Sequence, residues 1–298
     1  MHQTILLENE RLRLAAVPGM GGGLASFDAR LGGAWRPLMR PADLGPATVP
    51  FDLACILMLP WCNRIFGGGF SHAGQRHELA PTLPDQPLPL HGNGFTQAWT
   101  PRQESGQRLE LELQSDAIAA FHYHAVATYS LDGDALEMAL AVRHLGAAPM
   151  PYGLGFHPWF VREPDATLLA PATHFGLADE ELRPQGWREA GAEPDRDYRR
   201  AAPLPQRFTD TAFSGWDGAA EISWPSYGCA LALRAAGAVA ANYHLFAPAP
   251  DCGFFCFEPV SHLIDEHNQA APARPPGLAV LGRGEELRGS LRLQLREI

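Results

Sequence analysis

The stretch "FHYHAVATYSLDGDALEMALAVRHL", residues 121–145, carries two apolar runs that repeat every second residue. The runs are separated by Asp132-Gly133-Asp134, and a glycine between aspartates favours a tight turn. The alternating apolar residues are Phe121, Tyr123 and Ala125 before the turn and Leu136, Met138, Leu140 and Val142 after it. A period of two places one set of side chains on one face of a strand. The stretch therefore predicts a β-hairpin with one apolar face.

The same alternation recurs elsewhere in the chain. It is present in "LRGSLRLQLREI" at residues 287–298 and, in shorter form, in "RLELELQ" from Arg108. Polar residues at the alternate positions predict antiparallel sheet with one face solvated or lining a groove. We therefore predict an all-β protein, a large and mostly antiparallel β-sandwich.

Helices are expected to be few and short. The 30 glycines and 27 prolines among 298 residues favour turns over long helices. The best helix candidate is "ADEELRPQGWREA" at residues 178–190, which starts acidic and continues basic but is interrupted by Pro184. Because no internal repeat or shift in composition marks a boundary, we expect a single domain spanning residues 1–298.

Composition narrows the class of partner. The formal net charge is −10, and no block of basic residues is present, which argues against nucleic acid as a partner. No apolar run approaches the roughly 20 residues of a membrane-spanning helix, and no signal-peptide core is found, so we expect no membrane partner. A neutral small molecule fits this composition better.

The five cysteines make a poor disulfide framework because their number is odd and their spacing irregular. This usage agrees with a reducing compartment, and we expect a cytoplasmic protein. Cys252 and Cys256 lack a second matching pair, and the alternating His122 and His124 lack a third ligand nearby, so neither set predicts a metal site. We expect no metal and no other cofactor.

Four clusters place polar residues among glycine, proline and aromatic residues. Charged groups are costly to bury in such surroundings and are therefore more often functional. The clusters are "LPWCNRIFGGGF" at 59–70, "LHGNGF" at 90–95, "YGLGFHPWF" at 152–160 and "GFFCFEPVSHLIDEHN" at 253–268. Up to residue 258 they contain one arginine, two histidines and one glutamate. To the later His262 and Asn268 we assign no role.

Two residues of these clusters suit acid–base chemistry. His157 lies between Phe156 and Trp159, where an apolar setting lowers the pKa of an imidazole and a nearby carboxylate raises it. Glu258 closes an apolar run that is typical of a strand, and burial would raise its pKa into the range of a working general base. Alternatively, His157 is a buried histidine bonded to a carbonyl and Glu258 the partner of an arginine.

Together the clusters suggest an acid–base site for a polar, uncharged ligand. Aromatic side chains could provide flat apolar surface for the C–H faces of a sugar ring. The candidates are Trp61, Phe95, Trp159 and Phe257. Carbohydrate is therefore a plausible ligand on chemical grounds.

In order and spacing, the four clusters resemble the motifs of the aldose 1-epimerase (galactose mutarotase) family. "LPWCNRI" resembles the family's Asn-Arg-Ile segment, "LHG" its first-histidine turn, "GFHPWF" its second-histidine strand and "CFEPVSHLIDEHN" its carboxylate strand. The resemblance extends over roughly residues 11 to 295. It implies a galactose mutarotase-like supersandwich, with the site in a groove, and the interconversion of α and β anomers through the open-chain aldehyde.

The resemblance also implies roles for individual residues. Glu258 matches the general base that removes the proton of the anomeric hydroxyl, and His157 matches the acid that protonates the ring oxygen. His91 matches the second histidine near the ring oxygen, and Arg64 a contact to a sugar hydroxyl. Asn63 could contact the sugar or fix the Arg64 loop.

The family's aspartate that bonds sugar hydroxyls has two candidates here. Asp210 is preferred over Asp217 because Phe213 follows it as the motif expects, whereas Asp217 precedes Gly218 as a turn residue would.

Two alternatives to a free-aldose epimerase remain. A 1-epimerase of a phosphorylated or sulfonated sugar on the same fold would require additional cationic residues in the groove. A non-catalytic sugar-binding module could share the fold, although such a binder would not need an acid and a base in these positions. The sequence does not indicate which aldose is preferred or which oligomeric state forms.

Overall fold

The computed structural model describes residues 3–84, 86–269 and 277–298, and most of these residues lie in β-strands. All strand pairs in the sheets are antiparallel. In the first half of the chain the strands are β1 (Ile5–Glu8), β2 (Leu12–Val17), β3 (Gly23–Leu31), β4 (Ala34–Pro37), β5 (Cys55–Met58), β6 (Gly69–His72), β7 (Gln75–Glu78), β8 (Thr100–Ser105), β9 (Arg108–Ile118), β10 (Phe121–Asp132), β11 (Ala135–His144) and β12 (Met150–Tyr152). In the second half they are β13 (Gly155–Val161), β14 (Thr167–Leu169), β15 (His174–Ala178), β16 (Pro184–Glu189), β17 (Ala202–Pro203), β18 (Thr209–Ser214), β19 (Ala219–Trp224), β20 (Cys229–Gly237), β21 (Asn242–Ala247), β22 (Phe254–Val260), β23 (Ala279–Leu281) and β24 (Glu286–Glu297).

Helical structure in the described ranges is limited to single 3₁₀ turns, as the many glycines and prolines predict. They are Pro50–Asp52, Phe66–Gly68, Gly94–Thr96, Pro194–Arg196, Pro225–Tyr227, Pro250–Cys252 and Glu266–Asn268. None of them has the length and apolar character that a membrane crossing requires. The predicted helix candidate at 178–190 is wrong, since these residues form the end of β15, a turn and β16. Pro184 begins β16, which is an edge strand, and a proline is tolerated there because it need not donate to the ladder.

The strands form two large sheets and two small ones. The larger sheet has eleven strands in the order β1-β2-β3-β5-β13-β22-β21-β18-β15-β16, with β4 paired to β3. The second has nine strands in the order β17-β14-β19-β20-β24-β11-β10-β9-β8. The pairs β12-β23 and β6-β7 complete the set among the described residues. The prediction of a large antiparallel β-sandwich is therefore confirmed.

The hairpin predicted from residues 121–145 is formed by β10 and β11. Asp132 lies opposite Ala135, and the pairing continues to Tyr123 opposite His144. The buried residues of β10 alternate with less buried ones, as a sheet with one solvated face requires. Next to β11 lies β24, which contains the predicted C-terminal strand.

The main hydrophobic core lies between the two large sheets and draws from both. Phe156 and Phe257 enter it from the larger sheet, and Tyr123 and Leu293 from the other. The central strands of the larger sheet are buried on their second face as well, because β13 is buried at all seven positions and β22 at six. A smaller apolar cluster that includes Trp159 and Cys256 covers this second face. The second face is the one that carries the polar residues of the candidate site.

The segment after β7 that carries His91 passes close to the end of β5. Gly92 has φ +69° and forms a bridge to Leu59, and a Cβ on Gly92 would lie 2.0 Å from the carbonyl oxygen of Leu59. Only a residue without a side chain allows this approach, so Gly92 fixes the position of its neighbour His91.

We predict that Gly92→Ala lowers the free energy of unfolding by roughly 3 kcal/mol or more, because left-handed strain and a steric clash add. Gly133→Ala is the matched control, since Gly133 has φ +55° but a Cβ there would meet nothing within 4 Å. That variant should lose only about 1–2 kcal/mol. Urea unfolding of both variants measures the difference, and equal losses would contradict the steric account.

Candidate active site

His157 and Glu258 meet in the middle of the larger sheet. On the neighbouring strands β13 and β22, Gly155 pairs with Val260 and Trp159 with Cys256, a register that sets His157 opposite Glu258. Alternation along each strand turns both side chains away from the main core. Nε2 of His157 lies 3.4 Å from Oε1 of Glu258, and both side chains are less than one-tenth exposed. The two residues that sequence motifs nominated as acid and base are therefore in contact.

His91 is held in place by Asn63 through two hydrogen bonds, one between backbone groups and one from the Asn63 backbone to the His91 ring. The His91 N–H donates to the Asn63 carbonyl oxygen at 3.0 Å, and the Asn63 N–H donates to Nδ1 of His91 at 3.0 Å. Both residues have positive φ, +58° and +56°, a strained conformation that clusters at functional sites. Since Nδ1 accepts a hydrogen bond, the proton of the neutral imidazole is on Nε2. The His91 ring centroid lies 5.1 Å from that of His157.

Arg64 and Asp210 form an ion pair next to Asn63. Nη2 of Arg64 lies 3.1 Å from Oδ2 of Asp210, and Nη1 donates to Oδ1 of Asn63 at 3.2 Å. Asp210 projects from β18. Asp217, the alternative aspartate, instead accepts the Ala219 N–H at 2.9 Å in the turn before β19. The structure thus brings Asp210 to the site and leaves Asp217 in a turn.

The loop that carries Asn63 and Arg64 is fastened by the segment that follows Glu258. Nε2 of His262 accepts the Cys62 N–H at 2.8 Å, and the Asp265 N–H donates to the Arg64 carbonyl oxygen at 3.1 Å. Asn268 donates to the carbonyl oxygens of the next turn, at Phe66 and Gly69. His262 and Asn268, left without a role on sequence grounds, therefore support the loop and do not line the pocket.

All six predicted site residues line one pocket with a volume of about 320 Å³, a size that suits a small molecule. Among the described residues, its walls comprise Arg40, Phe51, Asn63, Arg64, Gln86, Leu90, His91, His157, Trp159, Asp210, His244, Phe246, Phe254 and Glu258.

The predicted aromatic surface is only partly correct. Trp159 lines the pocket, whereas Trp61 and Phe257 belong to the main core and Phe95 to the smaller cluster behind Phe51. Phe257 precedes Glu258 on a strand, so alternation turns its ring to the other face of the sheet. The other pocket aromatics are Phe51, Phe246 and Phe254.

Burial shifts the pKa values of Glu258, His157 and His91. Desolvation raises the pKa of Glu258 to about 8, although the charge of His244 opposes it. Desolvation also lowers the pKa of His157 to about 3 and that of His91 well below its usual value. Near neutral pH these shifts favour neutral imidazoles at both histidines and a proton on Glu258.

Sequence reasoning missed two charged residues of the pocket. Arg40 follows β4 in a loop, where nothing in the local sequence distinguishes it from a surface arginine. His244 lies on β21 in "NYHLFA", and a histidine at the alternate position of an apolar strand was the available signal. Nε2 of His244 lies 2.5 Å from Oδ1 of Asp210.

One group of side chains has the ligand types that a metal ion uses. The ligand atoms of His157, Cys256 and Glu258 lie within 4.8 Å of one another, and all three residues are buried. Burial raises the pKa of the Cys256 thiol well above its usual value, so without a metal ion this side chain is a neutral thiol.

The raised pKa of Glu258 predicts a dependence of stability on pH. The folded-state pKa of about 8 exceeds the ordinary value of 4.5, so the stabilisation present below pH 4.5 is lost as the pH rises to 8. Glu258→Gln should therefore be more stable than wild type at pH 8.5, by about 1–4 kcal/mol, and equally stable at pH 4.5. Urea unfolding at both pH values tests this, with Glu8→Gln, at an exposed position of β1, as the control. A destabilisation of Glu258→Gln that is the same at both pH values would refute it.

Comparison with known proteins identifies the family. The aldose 1-epimerase family model matches residues 3–294. The uncharacterised protein YphB of Escherichia coli K12 is 31% identical over 274 residues, which cover 88% of this chain and 91% of YphB.

Solved structures agree with this match. A crystal structure from Escherichia coli K12, provisionally described as an aldose 1-epimerase, has a TM-score of 0.89 and 28% identity, with complete coverage of both chains. A galactose 1-epimerase from Lactobacillus acidophilus NCFM shares the fold with a TM-score of 0.73 and 16% identity, over 99% of this chain and 94% of that one. The family and fold predicted from the four motifs are confirmed: the chain belongs to the aldose 1-epimerase family and has the galactose mutarotase-like fold.

Proposed function

We propose that this protein is an aldose 1-epimerase, a mutarotase that interconverts the α and β anomers of a free aldohexose by acid–base ring opening and closure. The observation that carries the proposal is the 3.4 Å contact between His157 and Glu258 in a pocket also lined by His91 and Arg64. An acid and a base side by side can serve two oxygens attached to one carbon, as the anomeric hydroxyl and the ring oxygen are.

The reaction needs only proton transfers between oxygen and these two side chains. The Glu258 carboxylate takes the proton of the anomeric hydroxyl, the bond from C1 to the ring oxygen breaks, and C1 becomes an aldehyde. The His157 imidazolium gives its proton to the departing ring oxygen. After rotation about the bond between C1 and C2, the hydroxyl attacks the other face of the aldehyde while both protons return.

The number of protons bound to His157 and Glu258 suits such an exchange. With pKa values of about 3 for His157 and about 8 for Glu258, the pair carries one proton over the whole interval between them. The reactive arrangement, a carboxylate beside an imidazolium, has the same number of protons as the resting one. A bound sugar hydroxyl that donates to Glu258 favours the carboxylate and thus the reactive arrangement.

The remaining side chains suit binding and orientation of the sugar. In the tautomer set by its Asn63 contact, His91 offers an Nε2 proton to the ring oxygen. Asp210 and Arg64 provide an acceptor and donors for sugar hydroxyls, and Asn63 fixes the Arg64 side chain. Trp159, which stacks on His157 with centroids 3.9 Å apart, adds apolar surface beside the reacting atoms.

We predict that wild-type protein accelerates the mutarotation of freshly dissolved α-D-glucose or α-D-galactose, followed by polarimetry. Glu258→Gln should reduce kcat by about 10²–10⁴-fold because the base is lost. Glu112→Gln makes the same chemical change on the other sheet and should leave the rate unchanged. An active Glu258→Gln variant would refute the assigned base, and sugar binding without any acceleration would favour a non-catalytic sugar-binding module.

A second candidate substrate class, an aldose carrying an anionic group, is favoured by Arg40. This guanidinium lines the pocket over the rings of Trp159 and Phe254, and its Nη2 donates to the carbonyl oxygens of Phe51 and Leu53. Within the described chain it has no ion-pair partner, and burial lowers its pKa. The charge of Asp52 acts on Arg40 but does not form an ion pair with it. A partly desolvated cation without a paired carboxylate is costly unless a ligand supplies an anion.

Substrate comparison separates the two classes. If the substrate must carry an anionic group, wild type should have a kcat/KM at least about tenfold higher for D-glucuronate or D-glucose 6-phosphate than for D-glucose. NMR exchange between the anomers measures these values. Arg40→Gln should then remove this preference and leave the rate with D-glucose unchanged. Arg36→Gln is the matched control, since Arg36 also stacks on an aromatic ring, that of Tyr227, outside the pocket. Equal kcat/KM values for charged and uncharged sugars would contradict the anionic class and favour a free aldohexose as the substrate.

A cytoplasmic location, a single domain and the lack of a nucleic-acid partner remain predictions that accompany this proposal.

A further inference from the structure

Glu258 lies between two imidazoles on adjacent strands. Across β22 and β13 it faces His157, and across β22 and β21 it pairs directly with His244. Three titratable side chains therefore form one row across three neighbouring strands, on the face of the sheet that carries the pocket. Cross-strand neighbours in such a row have Cβ atoms about 5 Å apart, which is close enough for strong electrostatic coupling.

The two imidazoles differ in their partners. His157 stacks on Trp159, and its Nδ1 has no hydrogen-bond partner among the described residues. His244 instead contacts the Asp210 carboxylate, which also binds Arg64. The ion pair makes His244 the more favourable place for a positive charge in this row.

The electrostatics agree with this geometry. Burial alone would lower the pKa of His244, but the charge and hydrogen bond of Asp210, together with Glu258, raise it above its usual value. Burial would likewise raise the pKa of Asp210, but His244 and Arg64 lower it well below its usual range. Asp210 and His244 therefore form a carboxylate–imidazolium pair beside Glu258.

We propose that His244 is a positioning residue of the epimerase reaction: held by Asp210, it presents a fixed positive charge to Glu258 and stabilises the carboxylate that accepts the anomeric proton. This inference rests on the proposed function. His244 acts through its neighbours, because its second ring nitrogen, Nδ1, is buried without a partner among the described residues. The same aspartate that is proposed to bind sugar hydroxyls thus also anchors the charge beside the base.

Other groups that act on Glu258 do not substitute for this charge. His157, on β13, is neutral near neutral pH. Cys55, at the start of β5, and Cys62, in the loop after β5, are buried thiols with raised pKa values. Cys256, on the same strand, is also a buried thiol with a raised pKa. The charge of Asp210 raises the pKa of Glu258, although by less than His244 lowers it. Arg64, from the loop after β5, also lowers the pKa of Glu258, but less than His244 does.

The test is the pH profile of kcat/KM for wild type, His244→Gln and His244→Asn. The high-pH limb of the profile is where the His157–Glu258 pair loses its proton. Loss of the positive charge of His244 should move this limb upward by about one pH unit. The plateau should fall about tenfold because the carboxylate is less populated. His124→Gln, on the outer face of the other sheet, should match wild type in both respects. A purely structural role would lower the plateau without moving the limb, and this outcome would overturn the proposal.

A second measurement does not depend on turnover. The ¹³C signal of the Glu258 carboxyl, identified by its loss in Glu258→Gln, should titrate about one pH unit higher in His244→Gln or His244→Asn than in wild type. An unchanged carboxyl titration would refute the role of His244 whatever the activity. Wild-type protein that fails to mutarotate any aldose would instead refute the proposed function, and the carboxyl titration would still decide the role of His244.

Discussion

The burial of the Glu258 carboxyl group in the middle of the larger sheet is the constraint on which the site depends. Burying a carboxylate away from water is costly, so the pKa of Glu258 rises. Neighbouring side chains must then provide the hydrogen bonds and charge stabilisation that water provides at the surface. His157 contacts it from one side and His244 pairs with it from the other. In the proposed reaction His157 and Glu258 exchange protons out of contact with bulk water, and the His244 charge lies beside them.

This burial is possible because the central strands of the larger sheet are covered on both faces. One face packs into the main core against the nine-stranded sheet, and the other carries a smaller apolar cluster next to the pocket. Alternation along β13 and β22 then sends Phe156 and Phe257 to one side and His157 and Glu258 to the other. The same backbone geometry that builds the core therefore aligns His157 with Glu258, the proposed acid and base.

Charge balance in the pocket follows from one network. Asp210 is shared by Arg64 and His244, so its negative charge is neutralised within the protein, while Arg40 has no carboxylate partner in the described chain. The pocket consequently has more cationic than anionic groups, although the whole chain has a net charge of −10. In the proposed function, selectivity toward charged substrates depends on Arg40, whereas the proton transfers depend on the row around Glu258.

The sequence by itself determined the fold class, the family and the identity of six pocket residues. Strict period-two alternation has one structural solution, a strand with two distinct faces. The four motifs are short continuous segments, so each can be compared with the family's segments in chain order without a structure. Only the tertiary structure decided which distant residues meet. Strand order in the sheet brings His244 beside Glu258 and Asp210, and it removes Trp61, Phe95 and Phe257 from the pocket. These outcomes depend on non-local pairing and on which face each strand turns outward, and no short stretch of sequence encodes the partner strand.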